Sequence, residues 1–140
     1  MKKILVATDA SGYSRKALLS ALELARIFNA VIELLFVMEM PIAYESTVFA
    51  YLISPENIEK ESENVFENTL RGIDTSGVTV IQKKIVGRRP GEVIIQEAES
   101  ENIDLIVMGS HGYGAFTGTL LGSVSQYVIH KAKCSVLIAK

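Results

Sequence analysis

Glycines crowd one stretch of the chain. Gly109, Gly112, Gly114, Gly118 and Gly122 follow one another closely, and Ser123 and Ser125 come directly after. Before them stands an apolar run, Leu105-Ile106-Val107-Met108, with the length of a buried strand. After them Val124, Tyr127, Val128 and Lys131 fall on one face at three- and four-residue steps, the spacing of a helix. The order is therefore strand, glycine loop, helix N-terminus. Glycine takes up positive φ and lets a ligand approach the backbone closely. The first-turn N–H groups of Ser123, Val124 and Ser125 would carry roughly half a positive charge toward whatever sits above them, with the serine hydroxyls beside them. Such a site suits an anion, and a phosphate carried by a nucleotide is its natural guest.

The run is neither of the common phosphate loops. No Gly-Lys-Ser/Thr occurs in the chain, and Gly112-x-Gly114 meets Thr117 where a dinucleotide fingerprint needs its third glycine. Taken alone it fits two readings, a phosphate cradle or a surface loop whose glycines only relieve turns.

The spacing Gly109-x2-Gly112-x9-Gly122-Ser123 resembles the nucleotide-binding signature of the universal stress protein (UspA-like) family, in its ATP-binding subgroup. Other segments extend the likeness over all but the middle of the chain. KKILVATDASGYSRKAL resembles the family's first strand and acidic turn, AVIELLFV its second strand and DLIVMGSHG its fourth. LLGSVSQYVIHKAKCSVLIAK resembles the last helix and strand. The resemblance implies an α/β fold of the adenine nucleotide alpha hydrolase-like type. That is a doubly wound, five-stranded parallel sheet of order 3-2-1-4-5 with helices on both faces. It implies ATP, ADP or AMP as ligand, with or without Mg2+. It puts Asp9 beside the nucleoside and the backbone of Val37 against adenine. Ala7 and Thr8 would form the floor, Met108 a wall, and Gly109, Gly112 and Gly122 the phosphate loop. It also implies a homodimer formed through the last strand, Ser135–Ala139.

The elements that must hold these residues alternate along the chain. Ile4-Leu5-Val6-Ala7 reads as a central parallel strand covered on both faces. It ends at Thr8-Asp9, where Ser11 or Ser14 can cap a helix striped by Ala17, Leu18, Ala21, Leu22, Ala25 and Ile27-Phe28, with Asn29 as its breaker. Val31 to Met38 is a second buried strand. The segment 39–54 has no clean period and reads as a loop. Ser54-Pro55 opens a helix with Ile58, Val65, Phe66, Thr69-Leu70 and Ile73 inward and Glu56, Glu59, Glu61, Glu63 and Glu67 outward. Val78 to Val86 alternates as a half-buried edge strand should. Pro90 opens a third helix running through Glu101. The strand ending at Met108, the glycine loop, a helix over Ser123 to Lys131 and the strand Ser135 to Ala139 complete five β units in one domain spanning 1–140. In such a sheet ligands bind beyond the carboxyl ends of the strands where the order reverses, here between strands 1 and 4. Asp9 and Gly109 end those two strands, so both lines of argument meet at one place.

Composition excludes several classes. The 140 residues are 49% hydrophobic with a net charge of -2, so neither a basic nucleic-acid surface nor an acidic tail is present. Lys2-Lys3 leads into only a short apolar run, so no signal peptide and no membrane span are expected. The single Cys134 suits a reducing cytoplasm and reads as a small buried hydrophobe. His111 has no adjacent nucleophile and reads as a loop-shaping hydrogen bonder, and His130 as solvated. Arg88-Arg89 follow the edge strand and read as a solvated turn. A phosphoacceptor domain would need clustered carboxylates around Asp9, and a flavin site more aromatic residues in the loop. Efficient hydrolysis would want a P-loop lysine and metal-holding acids. The expectation is a nucleotide-binding stress-response module, with slow ATP hydrolysis as the alternative.

Overall fold

A computed structural model of the protein describes residues 1–40, 47–112 and 120–140. Five parallel strands lie in the order β3-β2-β1-β4-β5. They are β1 (Lys3–Ala7), β2 (Val31–Glu39), β3 (Val80–Gly87), β4 (Leu105–Gly109) and β5 (Ser135–Ala139). The helices are α1 (Gly12–Phe28), α2 (Thr47–Leu52), α3 (Pro55–Leu70), α4 (Pro90–Ser100) and α5 (Ser123–Lys131). The doubly wound architecture and its strand order are those the sequence leads one to expect.

Local chemistry sets most boundaries. The Ser11 hydroxyl accepts from the Ser14 N–H at 3.2 Å and starts α1. Asn29 ends it in the left-handed region, with φ of 54°. Ser54 caps α3 in the same way, with Pro55 at its first position. Alternate strand residues supply the two faces. Ile4, Val6, Ile32, Leu34, Leu105 and Val107 pack with α1 and Phe66 of α3, while Leu5, Leu35, Ile106 and Met108 pack with α4 and α5. No helix among the described residues is long and apolar enough to cross a membrane.

Two expectations need correction. Part of the 39–54 segment is structured, because Glu39 extends β2 and 47–52 form a short helix. Six helical residues with Val48 and Tyr51 exposed leave no amphipathic period to read. In α3 the buried row includes Asn57, Ser62 and Thr69 with Phe66, whereas Ile58 and Val65 are only half-buried. The hydroxyls fit inside because Ser62 and Thr69 each donate to a carbonyl one turn back, at 2.6 Å. The glutamates of α3 do face outward. Smaller shifts occur elsewhere: β3 begins at Val80 and β4 includes Gly109.

Candidate functional site

The register lines up the carboxyl ends of the central strands. Ala7 of β1 pairs with Leu35 of β2, and Val6 with Val107 of β4. Beyond these ends a cavity of about 380 Å³ opens on the face covered by α4 and α5. It has an apolar half and a polar half. Ala7, Leu35, Val37 and Met108 floor the apolar half, and Pro90 and Ile94 of α4 wall it. Asp9, Gly109, His111, Gly112 and the first turn of α5, Ser123 to Ser125, surround the polar half.

The turn from β1 to α1 is built on hydroxyls. Thr8, 6% exposed, meets Ser14 at 3.1 Å and Thr69 of α3 at 2.7 Å, and accepts from the Ala10 N–H at 3.0 Å. These bonds hold Ala10 at φ of 65°, a strained value for a residue with a side chain. The Asp9 carboxyl follows from that turn. Its Oδ1 accepts from the Ser11 N–H at 2.9 Å, while Ser11 itself caps the helix. Oδ2 points across the site, where a Cβ on Gly112 would stand 2.6 Å from it. Gly109 is equally constrained, since a Cβ there would meet the Tyr13 backbone at 2.8 Å. Two of the signature glycines thus allow parts of the protein to approach one another.

Gly122 differs. Its N–H donates to the Ser110 carbonyl at 2.7 Å and it stands at the N-cap of α5, without itself lining the cavity. A Cβ there would find only ordinary contacts, 3.4 Å at the nearest. The protein leaves space at Gly122 that it does not itself need. The N-cap residue Gly122 has no side chain to cap α5, so among the described residues its first-turn N–H groups open on the cavity by helix geometry. Ser123 is exposed, whereas the buried Ser125 hydroxyl donates to the Ser110 and Gly122 carbonyls at 3.0 Å and ties the loop to the helix. Ser125 therefore offers its N–H toward the cavity more readily than its hydroxyl. His111 bonds the Ser110 hydroxyl through Nδ1 at 3.1 Å and tilts against the Tyr13 ring, a shaping role.

Every residue singled out for the site apart from Gly122 lines this one cavity. Ser14, Leu35, Glu39, Pro90 and Ile94 line it too and were missed. Leu35 and Glu39 stand two residues either side of Val37, so period-two alternation points to them. Pro90 and Ile94 are one helical turn apart at the start of α4, and only the tertiary fold brings them over the sheet. Away from the site, Arg89 is 77% exposed and bonds Glu92 at 3.0 Å. His130 is exposed, and Cys134 is half-buried against the α4–α5 core, its thiol pushed up by burial. Residues 113–119, which include Gly114 and Gly118, lie outside the described residues.

A parallel doubly wound sheet with a part-apolar cavity at its switch point, bordered by Gly109, Gly112 and the first turn of α5, defines a class of small α/β domains with a ligand-sized crevice beyond the carboxyl ends of their strands. Comparison with known proteins narrows the class. The model of the "Universal stress protein family" matches residues 1–140. A universal stress protein of Thermus aquaticus is 35% identical over 142 residues, covering 99% of this chain and 98% of its own. One from Methanocaldococcus jannaschii is 30% identical over 140 residues, covering 99% and 82%. The solved structure of UspA from Lactobacillus plantarum superposes with a TM-score of 0.83 at 26% identity, covering 99% of this chain and 97% of that one. The chain belongs to the universal stress protein family.

Proposed function

We propose that this protein is an adenine-nucleotide-binding stress-response module, ATP among its ligands, that binds without efficient catalysis. The observation that carries the reading is the division of the cavity. The apolar slot between Val37, Met108 and Ile94 suits a purine, and the N-terminus of α5, with glycine at its N-cap, suits a phosphate two strands away. Asp9 lines the cavity between the two, and on this reading it lies beside the nucleoside. Family membership supports the same reading.

Catalysis is disfavoured by what the described lining holds. It includes no lysine or arginine, and residues 113–119 carry none in sequence. Among the described residues no three histidine, cysteine or acidic side chains gather as a metal site. A Mg2+ ion would therefore come with the nucleotide, held by its phosphates, with Asp9 or Glu39 as the available protein carboxylates. Backbone N–H groups hold one or two phosphates well and add little for a third. ADP and AMP are accordingly expected to bind within about tenfold of ATP, roughly 1.4 kcal/mol.

Calorimetric titration with AMP, ADP and ATP, with and without Mg2+, tests this. A hundredfold preference for ATP without Mg2+ would overturn the loose phosphate selection. Gly122→Val, which puts a branched side chain beside the phosphate position, is expected to fold and to lose affinity at least tenfold. Unchanged affinity would move the site elsewhere.

The same reading includes a cytoplasmic homodimer. β5 is an edge strand, paired among the described residues with β4 alone. Val136, Leu137 and Ile138 on it are half-buried, and such an edge accepts a second strand. Light scattering is expected to give twice the chain mass for the parent and less for Val136→Lys.

A further inference from the structure

The sheet face under α4 is interrupted by an acid. Glu33 sits in the middle of β2, in register with Leu5 of β1 and Ile81 of β3. Its Oε1 is buried and meets no hydrogen-bond donor among the described residues. Glu97 of α4, only 7% exposed, is the acidic neighbour that bears most strongly on it, and Lys83, which lines the same cavity as Glu33, pairs with Glu97. Two ammonium groups are near, and both are engaged elsewhere. Lys83 of β3 pairs with Glu97 and stands 3.3 Å from Glu101 of α4. Lys3 of β1 pairs with Glu101 at 3.2 Å. Glu33 itself forms no ion pair among the described residues. A cavity of about 290 Å³, lined in part by Lys3, Glu33 and Lys83, opens beside the group and gives protons a route from solvent.

Two carboxyls in contact do not both ionise without penalty unless a cation stands between them. Here the nearest cation is taken by one of the two. We propose that Glu33 and Glu97 share a single proton that fastens α4 to β2, and that this proton makes the α4 wall of the nucleotide cavity responsive to pH.

The cluster and the cavity are built from the same two elements. Glu33, Leu35, Val37 and Glu39 form one row on β2, with the acid pair at its start and the cavity floor at its end. On α4, Glu97 follows Ile94 by three residues and so shares its face. A change in how α4 sits on Glu33 is passed along the helix to Ile94 and Pro90.

The titration of Glu33 falls in a useful range. Burial pushes it up to about 7, with the charge and hydrogen bond of Glu97 adding to the effect, Lys83 opposing it and Glu101 adding slightly. The folded state then keeps a proton that the unfolded chain releases from about pH 4.5 upward. With more protons bound when folded, stability falls as pH rises through that window and levels off above about 7.

Denaturant unfolding from pH 5.5 to 8 for the parent, Glu33→Gln and Glu33→Met tests the shared proton. Groups common to all three proteins cancel in the difference. The parent is expected to lose folding equilibrium constant relative to both variants by up to about tenfold per pH unit below pH 7, and to run parallel to them above. Parallel profiles throughout, or failure of both neutral variants to fold, would overturn the proposal. The second half rests on the nucleotide reading, and titration with AMP at pH 6 and pH 8 separates the two. A several-fold weaker affinity at pH 8 in the parent, absent in Glu33→Gln, supports it. The same pH dependence in both proteins overturns the link to the cavity. No AMP binding at either pH defeats the nucleotide reading and the link with it, while the unfolding profiles still decide the proton.

Discussion

The two faces of the sheet receive similar side chains from the strands and end up doing different work. On one face α1 lays Ala17, Leu18, Ala21, Leu22 and Ala25 against the sheet, all at 0–1% exposure. Small and large residues alternate along this stripe, and all of them belong to one buried cluster with the strand residues beneath. At its ends the face is finished with hydroxyl pairs and with Arg15, whose guanidinium donates to the Asn68, Thr69 and Arg71 carbonyls at the end of α3. On the other face α4 and α5 are shorter. Between them lie a cavity of about 380 Å³ at one end and, at the other, the half-buried Glu33 beside the buried Glu97. The face with the cavity is not packed to its edge, so the filled layer lies under α1 and the open one under α4 and α5.

The sharpest way to break this contrast is to truncate one large side chain on each face. Leu22→Ala removes a side chain 1% exposed from the filled face and leaves a cavity that α1 does not collapse. A loss of about 4 kcal/mol is expected, in the upper part of the range for such changes. Ile94→Ala removes a side chain 2% exposed that already borders the open cavity. Less new void is created there, so about 2 kcal/mol is expected, together with weaker AMP binding through loss of the slot wall. Denaturant midpoints with matched m-values measure both. Equal losses would mean that the cavity face is packed as firmly as its partner.

The filled face was also the more legible one. Continuous apolar strands, the Ser11 and Ser54 caps and the Asn29 terminator are all local signals, and each appears where the sequence puts it. The glycine spacing is local too and points to Gly109 and Gly112, while Asp9 follows from the resemblance and from its place at the end of β1; all three line one cavity. What escaped was whatever depends on distant elements meeting. Ile94 and Pro90 become cavity walls only because a right-handed crossover brings α4 over β2. Glu33 looks like one stray acid in an apolar strand until Glu97 arrives beside it. Thr69 reads as inward on α3, but its partner Thr8, at 2.7 Å, is legible from neither segment alone. The 47–52 helix was hidden because a short element with exposed apolar residues leaves no period to read.

The smallest effect tests where the contrast begins, at the turn that leaves β1 for the filled face while carrying Asp9 to the cavity. Ala10 is held there at φ of 65° by the bond from its N–H to Thr8 Oγ1. Nothing in an alanine announces such a conformation, and it costs roughly 1–2 kcal/mol relative to a right-handed backbone. Glycine would adopt it without strain, at an entropic cost in the unfolded chain of about 0.4–1 kcal/mol. Ala10→Gly is therefore expected to gain about 0.5–1 kcal/mol net, the difference of those two figures. Asn102, at φ of 54° on the far side of the fold, supplies the control, because asparagine already tolerates that region. Asn102→Gly is expected to change stability by less than Ala10→Gly. A loss of 0.4 kcal/mol or more for Ala10→Gly would show that the turn is unstrained, and that the hydroxyl network under Asp9 fixes its geometry without storing energy in it.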